Sequence, residues 1–537
     1  MRILLILAVT KILEASRFHL NAASIPRSFY DLLSLALVGA ILAFFILDAK
    51  TSADGLEARL ERIFASRGVL ACALDVLLGV VLLYETWRYA DLLYLYPIRC
   101  NRADMLPIVR GAAEYLSMFS NPFDKTYCPW NVPFVYLPMM MLYYLPAILL
   151  KFDMRFISHL SLLLTLFLVY GHQRKHGRPL AGFLIVWIMA SSGLFRFYMM
   201  TVQDFPFLLV ITLVLFSFYE KKDEAFFFCL ALALATRQVF FVLFPIFAIA
   251  ALKTRRLRPR GLAAFGAGLL FGFLPALLYP RSFILNFVRS FQHYSHAQGN
   301  GLFLTHSLGF SHYFFDRKTM ATVLCLCLLG ALYLLALKYL RESNLWLFLA
   351  LGLADFLFFT RYGLRPEEYY YLPLFAILSV MPLRGDPGAP SVPFRRSLQS
   401  LAMGACVLIL FAFPLLAKRS SMPFRISDAG DSELFGRLEG TGRMEFSLAV
   451  AAPRLRQQTL AFEVSVRDPS PKAPLLVSVL INDKPVLSRE LPESGIRIEL
   501  DRDVQREYLI WGSNAFEVSL NRPEPFQLKV IREPGGH

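Results

Sequence analysis

No cysteine set is spaced for a structural zinc, no HExxH occurs, and residues 425–537 hold no cysteine at all. Those gaps exclude a cysteine-based zinc module, a zincin-type metalloenzyme and a disulfide-stapled tail. An internal repeat of the inverted kind is also lacking, which counts against a secondary transporter. The tail lacks a charge surplus: residues 425–537 hold 15 Lys and Arg against 17 Asp and Glu, so the chain's net charge of +15 becomes +17 on the remainder. A basic excess confined to membrane edges serves topology and anionic headgroups rather than nucleic acid.

What the chain has in abundance is apolar residues, 56% of 537, with a mean hydropathy of +0.51. A soluble fold of this length could not hide that many Leu and Phe side chains, so lipid is the expected solvent. A span needs about 20 apolar residues. Eleven or twelve segments qualify, near 30–49, 68–95, 132–150, 154–171, 179–197, 205–219, 225–252 as a broken pair, 261–280, 319–339, 344–360, 366–382 and 398–417. The basic clusters at 172–178 (HQRKHGR), 253–260 (KTRRLRPR), 338–341 and 384–396 all fall on the cytoplasmic side if 132–150 dips into the outer leaflet without crossing. MRILLILAVTKILEA at the start reads as a weak signal-anchor or an interfacial helix.

The outer loops then carry the chemistry. Within residues 99–138, a run that sets Asp104, Arg110 and Glu114 beside Leu106, Ile108, Ala113, Leu116 and Met118 predicts an amphipathic helix along the membrane surface, able to present a carboxylate to substrate. Prolines in NPFD, PW and VPFVYLP predict a turn and a re-entry, with Tyr127, Trp130, Phe134 and Tyr136 at headgroup level or against a sugar ring. Cys100 and Cys128 share the first outer loop, as a disulfide or as two thiols. Gln203 and Asp204 open a span, where Asp204 either caps the helix or serves a site. Arg237 sits deep in FFFCLALALATRQVFFVLFPIF. Facing lipid it would cost roughly 2.5 to 3.5 kcal/mol, so it must meet an anion such as a phosphate, or an acid such as Asp75 or Asp355. Arg361 and Arg365, four apart in TRYGLRPEEYYYLP, offer two guanidinium forks to phosphate oxygens, with Tyr369 beside them. His293, His296, His306 and His312 have no zinc spacing and no metal is assigned.

An acid at the water boundary facing buried cations suits a lipid-phosphate donor. The order of elements resembles the integral-membrane glycosyltransferases of the GT-C superfamily, in the branch that uses polyprenyl-phosphate sugars and is mannosyltransferase-like. The resemblance covers roughly residues 68–382 and rests on Asp104 in NRADMLPIVRGAAEYL, Asn121-Pro122-Phe123, Tyr136-Leu137-Pro138, Gln203-Asp204 and Arg237, where a Lys is common. The chain departs from the pattern in Val202 for a Gly, in a single proline at the re-entry, and in the extra span near 30–49. The resemblance implies Asp104 as general base, donor phosphate on Arg237, Arg361 and Arg365, and substrate contacts from Gln203, Asp204, Tyr136 and Tyr369. It implies a sugar moved from a polyprenyl-phosphate donor to a hydroxyl of a glycan, glycolipid or protein acceptor, at the outer face of a bacterial inner (cell) membrane. The outer loops hold no DxD pair, so no cofactor is expected. The competing classes are a lipid or polysaccharide transporter or flippase and a non-catalytic scaffold of envelope glycan assembly.

Residues 425–537 change register to strand alternation: RMEFSLAV, TLAFEVSV, LLVSVLI, PVLSREL, GIRIEL, NAFEVSL and FQLKVI, with a hairpin turn at 482–484. An antiparallel, jelly-roll-like β-sandwich follows, with Tyr508 and Trp511 for sugar stacking or for packing. The domain reading is a 1–67 N-terminal region with an extra membrane helix, a 68–382 GT-C-like catalytic membrane core, 383–424 as a cytoplasmic loop and last helix, and 425–537 as an extracytoplasmic β-sandwich.

Overall fold

A computed structural model describes residues 2–15, 27–50, 61, 63–64, 68–95, 98, 100, 105–128, 131–192, 195, 198, 203–297, 310, 313, 318–359, 366–380, 434–441, 443–450, 458–466, 474–492, 495–500, 512–522 and 524–534. Asp104, Trp130, His306, His312, Arg361, Arg365, Tyr508, Trp511, the cluster at 384–396 and the expected span near 398–417 lie outside the described residues. The chain divides into two compact units, one of residues 1–85, 108–145 and 157–404, the other of 86–107, 146–156 and 405–537.

The first part of the chain is helical: α1 (Arg2–Ala15), α2 (Arg27–Lys50), α3 (Gly68–Leu95), α4 (Met105–Ser117), α5 (Met139–Leu149), α6 (Arg155–Lys175), α7 (Pro179–Ser191), α8 (Phe205–Tyr219), α9 (Asp223–Thr236), α10 (Phe240–Lys253), α11 (Pro259–Gly272), α12 (Leu274–Leu278), α13 (Pro280–Ala297), α14 (Lys318–Tyr339), α15 (Leu345–Phe359) and α16 (Pro366–Val380). Between α4 and α5, β1 (Thr126–Tyr127) pairs antiparallel with β2 (Val132–Pro133).

Three described helices are long and apolar enough to cross a membrane: Val69–Tyr89 within α3, Arg155–Lys175 and Thr322–Tyr339. Their apolar faces are partly open, as a lipid-facing helix requires, with Val76, Val80, Leu83 and Trp87 exposed along α3. Other expected spans form shorter apolar helices, among them α5, α7, α8 and α10. A helix of 14 or 15 residues rises about 21 to 23 Å, short of a hydrocarbon core of about 30 Å. The 11 residues of α5 rise still less, in keeping with a dip.

What stops these helices is local. At the ends of α6, α8 and α10, Gly177 (φ 72°), Lys221 (φ 57°) and Arg255 (φ 55°) turn left-handed. In each the next amide reaches back five residues, Arg178 N to Gln173 O, Lys222 N to Ser217 O and Arg256 N to Ala251 O, at 2.9 to 3.0 Å. That is the Schellman ending. The basic clusters are thus helix terminators as well as topology signals. They are matched by acids: Arg174 bonds Asp75 at 2.5 Å, Arg256 bonds Glu342 at 2.5 Å, and Lys175 pairs with Glu220. Glu61 closes the opposite kind of end, its carboxylate accepting from Leu180 N at 3.2 Å and Ala181 N at 2.5 Å in the first turn of α7.

Helices α9 and α11 pack through small residues. A Cβ added at Gly268 would stand 2.7 Å from Phe228 O and 2.8 Å from Ala231 Cβ, and one at Gly272 only 2.5 Å from Ala235 Cβ. The four-residue glycine spacing facing the alanines of ALALAT permits this backbone approach, the usual device where no hydrophobic force separates helix from lipid. Gly268→Val should therefore push the helices apart. A melting temperature in detergent equal to that of the wild type would show that the contact is slack.

The C-terminal region is antiparallel β-structure: β3 (Leu434–Thr441), β4 (Arg443–Val450), β5 (Gln458–Val466), β6 (Leu475–Ile481), β7 (Lys484–Leu491), β8 (Ile496–Leu500), β9 (Gly512–Leu520) and β10 (Pro525–Pro534). The order is β7-β6-β9-β4-β3-β10-β5-β8. Strands β3 and β4 meet at one residue pair, Thr441 with Arg443, so two four-stranded layers join at that corner. The layers share a core, with Phe462 of β5 against Phe516 of β9 at 5.5 Å and Val464, Val477, Val479, Val518 and Leu528 buried. Alternation is plain along β6, where Leu475, Val477, Val479 and Ile481 are buried. The expected hairpin is present: Ile481 pairs with Lys484 across Asn482 and Asp483, whose φ values of 54° and 66° make the turn that matches strand twist. Asn482 also donates to Asn514 Oδ1 at 2.9 Å.

Candidate functional site

The polar cluster inside the helical unit gathers at the break between α9 and α10. Thr236, Arg237 and Gln238 are each tied to a different partner. The Thr236 and Tyr143 hydroxyls lie 3.0 Å apart. Gln238 Nε2 donates to Val135 O at 2.8 Å. Arg237, 5% exposed, donates to Asp204 Oδ2 at 2.8 Å, and its guanidinium carbon lies 5.1 Å above the Tyr136 ring. An arginine amid apolar helices is stabilised by both contacts, one with a counter-charge and one with a π face.

The loop that supplies Tyr136 is held by side chains because its extended backbone has few internal partners. Phe134 O accepts from Asn286 Nδ2 at 2.5 Å and from Ser290 Oγ at 3.3 Å, both on α13. Asn121 starts the preceding turn: its Oδ1 accepts from Phe123 N at 3.0 Å, and its Nδ2 donates to Asp124 Oδ2 at 2.6 Å and Ser282 Oγ at 2.8 Å. Phe123 packs edge-on against Phe134 and Phe283. Tyr127 hydroxyl closes the loop on Pro122 O at 2.6 Å. Cys100 and Cys128 are both disulfide-bonded, whereas Cys72, Cys229, Cys325 and Cys327 are free thiols.

Of the residues singled out from sequence, Tyr136, Asp204 and Arg237 converge directly. Gln203 stands next to Asp204; its carbonyl accepts from Tyr144 hydroxyl at 2.8 Å, and its carboxamide Nε2 and Oε1 are buried without a hydrogen-bond partner among the described residues. Tyr369 lies on α16. Asp104, Arg361 and Arg365 lie outside the described residues.

Two alternatives are resolved. Asp204 holds the N-cap position of α8, but its side chain makes no cap bond and instead accepts from Arg237. Asp75 and Asp355 are engaged elsewhere, Asp75 with Tyr170 and Arg174 and Asp355 with the Cys325 thiol at 3.6 Å. An amphipathic helix, α4, forms over Met105–Ser117, with Arg110 bonded to Glu114 at 3.1 Å and Leu106, Ile108 and Ala113 buried.

A second group was missed from sequence. His172, His176 and Glu220 place ligand atoms within 4.8 Å of one another at the far end of α8 from Asp204. The signal was present as H-x-x-x-H inside HQRKHGR, but the positive charge of that cluster was all that was read. The Glu220 carboxyl is held down at about 2, first by the His172 imidazole and then by Lys175, against the opposing effect of its burial.

Comparison with protein-family models, with curated proteins and with solved structures found no match.

Proposed function

We propose that the chain transfers a sugar from a polyprenyl-phosphate donor to an acceptor hydroxyl at the outer face of a membrane. The observation that carries this reading is Arg237, a buried guanidinium placed at a helix break by Asp204 and Tyr136 inside an apolar helical unit. Such a charge suits an anionic lipid head whose tail lies among helices, with the unpartnered Gln203 carboxamide as a further polar contact. A donor phosphate shares the guanidinium with Asp204, and Arg361 and Arg365 supply the remaining positive charge. Tyr136 and Tyr369 take the sugar side.

Asp104 is the base. It takes the proton of the acceptor hydroxyl while that oxygen bonds to the anomeric carbon; the anomeric carbon–oxygen bond to phosphate breaks, and its electron pair leaves with the polyprenyl phosphate. A phosphate leaves without needing its own acid. Supporting the outer-face placement, α4 follows Asp104 as an amphipathic helix with a buried apolar face, the shape of an element lying at an interface.

The tail reads as a jelly roll that binds a glycan, glycolipid or protein acceptor. Its strand order supports this: two four-stranded antiparallel layers exchange strands at one corner, as a double Greek key does. The layout suits a multi-pass protein of a bacterial inner membrane.

The test is incubation of the purified, reconstituted protein with a panel of polyprenyl-phosphate sugars and the release of polyprenyl phosphate as readout. Release from one member of the panel is expected. No release from any member, with or without added glycan acceptors, would sink the reading.

A further inference from the structure

The end of α8 remote from Arg237 carries chemistry that sugar transfer does not use. His172 and His176 are four apart at the end of α6, and His176 N still reaches His172 O at 3.3 Å, so the helical turn continues through both. That spacing puts the two rings on one side of the helix, 4.5 Å apart between centroids. Glu220, the C-cap of α8, arrives from a neighbouring helix and is aimed at them by the left-handed Lys221 that ends α8.

We propose that His172, His176 and Glu220 form a site for one divalent transition-metal ion, with Zn2+ as the cation that fits it best. Three observations carry this. The first is a distance: His172 Nδ1 and Glu220 Oε1 lie 3.4 Å apart. That is long for a charge-assisted hydrogen bond, but it is the edge of a tetrahedron whose metal bonds are about 2.0 to 2.1 Å, which comes to roughly 3.3 to 3.4 Å. The second is tautomer control. His176 Nδ1 lies 2.8 Å from His172 O, where the ring donates a proton and leaves Nε2 as the ligand atom. The third is the donor set itself, two imidazoles and a carboxylate from two helices with all ligand atoms within 4.8 Å of one another.

Lys175 grips Glu220 Oε2, which directs the carboxylate to bind through Oε1 alone. Two imidazoles and one carboxylate are the mix that imidazole-seeking ions prefer over Mg2+ or Ca2+. Three protein ligands leave a fourth position, and His176 is exposed, so water completes the shell. The consequence is a clamp between the ends of α6 and α8. Because α8 rises about 22 Å over its length, the clamp lies well away from Asp204 and is independent of the sugar-transfer reading.

The experiment uses the untagged full-length protein in detergent, stripped with EDTA, loaded with Zn2+ and passed over gel filtration before metal analysis. Wild type should retain about one Zn2+ per chain, and Zn2+ should raise its melting temperature. His176→Ala and Glu220→Gln should each weaken Zn2+ binding by at least about 100-fold, the upper end of what losing a mere supporting partner of a ligand costs, and abolish the thermal shift. Should Glu220→Gln fail to fold, the exposed His176→Ala and the visible spectrum of wild type loaded with Co2+ still decide, through the bands of a four- or five-coordinate ion. Retention by His176→Ala equal to wild type, no Zn2+ on wild type, or an octahedral Co2+ spectrum would each overturn the site and leave a histidine–carboxylate ion pair.

Discussion

Replacing Asp104 with Asn should lower sugar transfer by about 10²- to 10⁴-fold, the usual contribution of a positioned general base, while donor affinity and melting temperature stay near wild type. The substitution keeps size and hydrogen-bonding capacity and removes only the ability to accept the acceptor's proton. On the proposed reading Asp104 works at the water boundary, so its loss should not disturb the helix core. The measurement is turnover against donor binding on the same preparation. Near-normal turnover would remove Asp104 as base, and a parallel loss of donor affinity would recast it as a binding residue. A transporter or a scaffold has no need of a proton acceptor there, so this variant separates the reaction classes as well as testing the residue.

The second large effect is on stability. Arg237→Leu leaves the Asp204 carboxylate, 2% exposed, without the guanidinium 2.8 Å away. Breaking a buried pair from one side costs about 3 to 5 kcal/mol, whereas replacing both partners with apolar residues is often close to neutral. The expected outcome is a strong fall in melting temperature for Arg237→Leu that a second change, Asp204→Leu, largely repairs. Non-additivity of this kind marks direct coupling. Additive losses would mean that the two side chains act separately. The repaired double variant also isolates function: it keeps the fold but no longer offers a cation, so its donor affinity should drop. Equal donor affinity in the repaired variant and the wild type would defeat the phosphate role of Arg237.

Much of the local structure was legible. The broken helix pair around Arg237, the amphipathic helix carrying Arg110 and Glu114, the alternation of LLVSVLI and the turn at Asn482-Asp483 each follow from a few neighbouring residues. Helix lengths were less legible. Schellman endings at Gly177, Lys221 and Arg255 close helices just beyond runs read as spans, and two of those three residues carry none of glycine's usual signal for a left-handed turn. Three described helices reach membrane length where eleven or twelve spans were expected. In HQRKHGR the charge is a local signal, whereas its paired histidines gain a third ligand, Glu220, only from another helix.

From the sequence came the periods and the punctuation: where polarity repeats every two or every three to four residues, where the chain must turn, and where a buried charge demands a partner. Those are decided within one or two turns of chain, by backbone sterics and the solvent each side chain prefers. The choice of partner belonged to tertiary structure. That Arg237 meets Asp204, 33 residues away, and not Asp75 or Asp355, and that Gln238 holds the carbonyl of Val135, 103 residues away, depends on which helix ends packing brings side by side. The meeting of Glu220 with two histidines from another helix was settled in the same way. Apolar faces are interchangeable in composition, and only their fitted shapes select one neighbour over another.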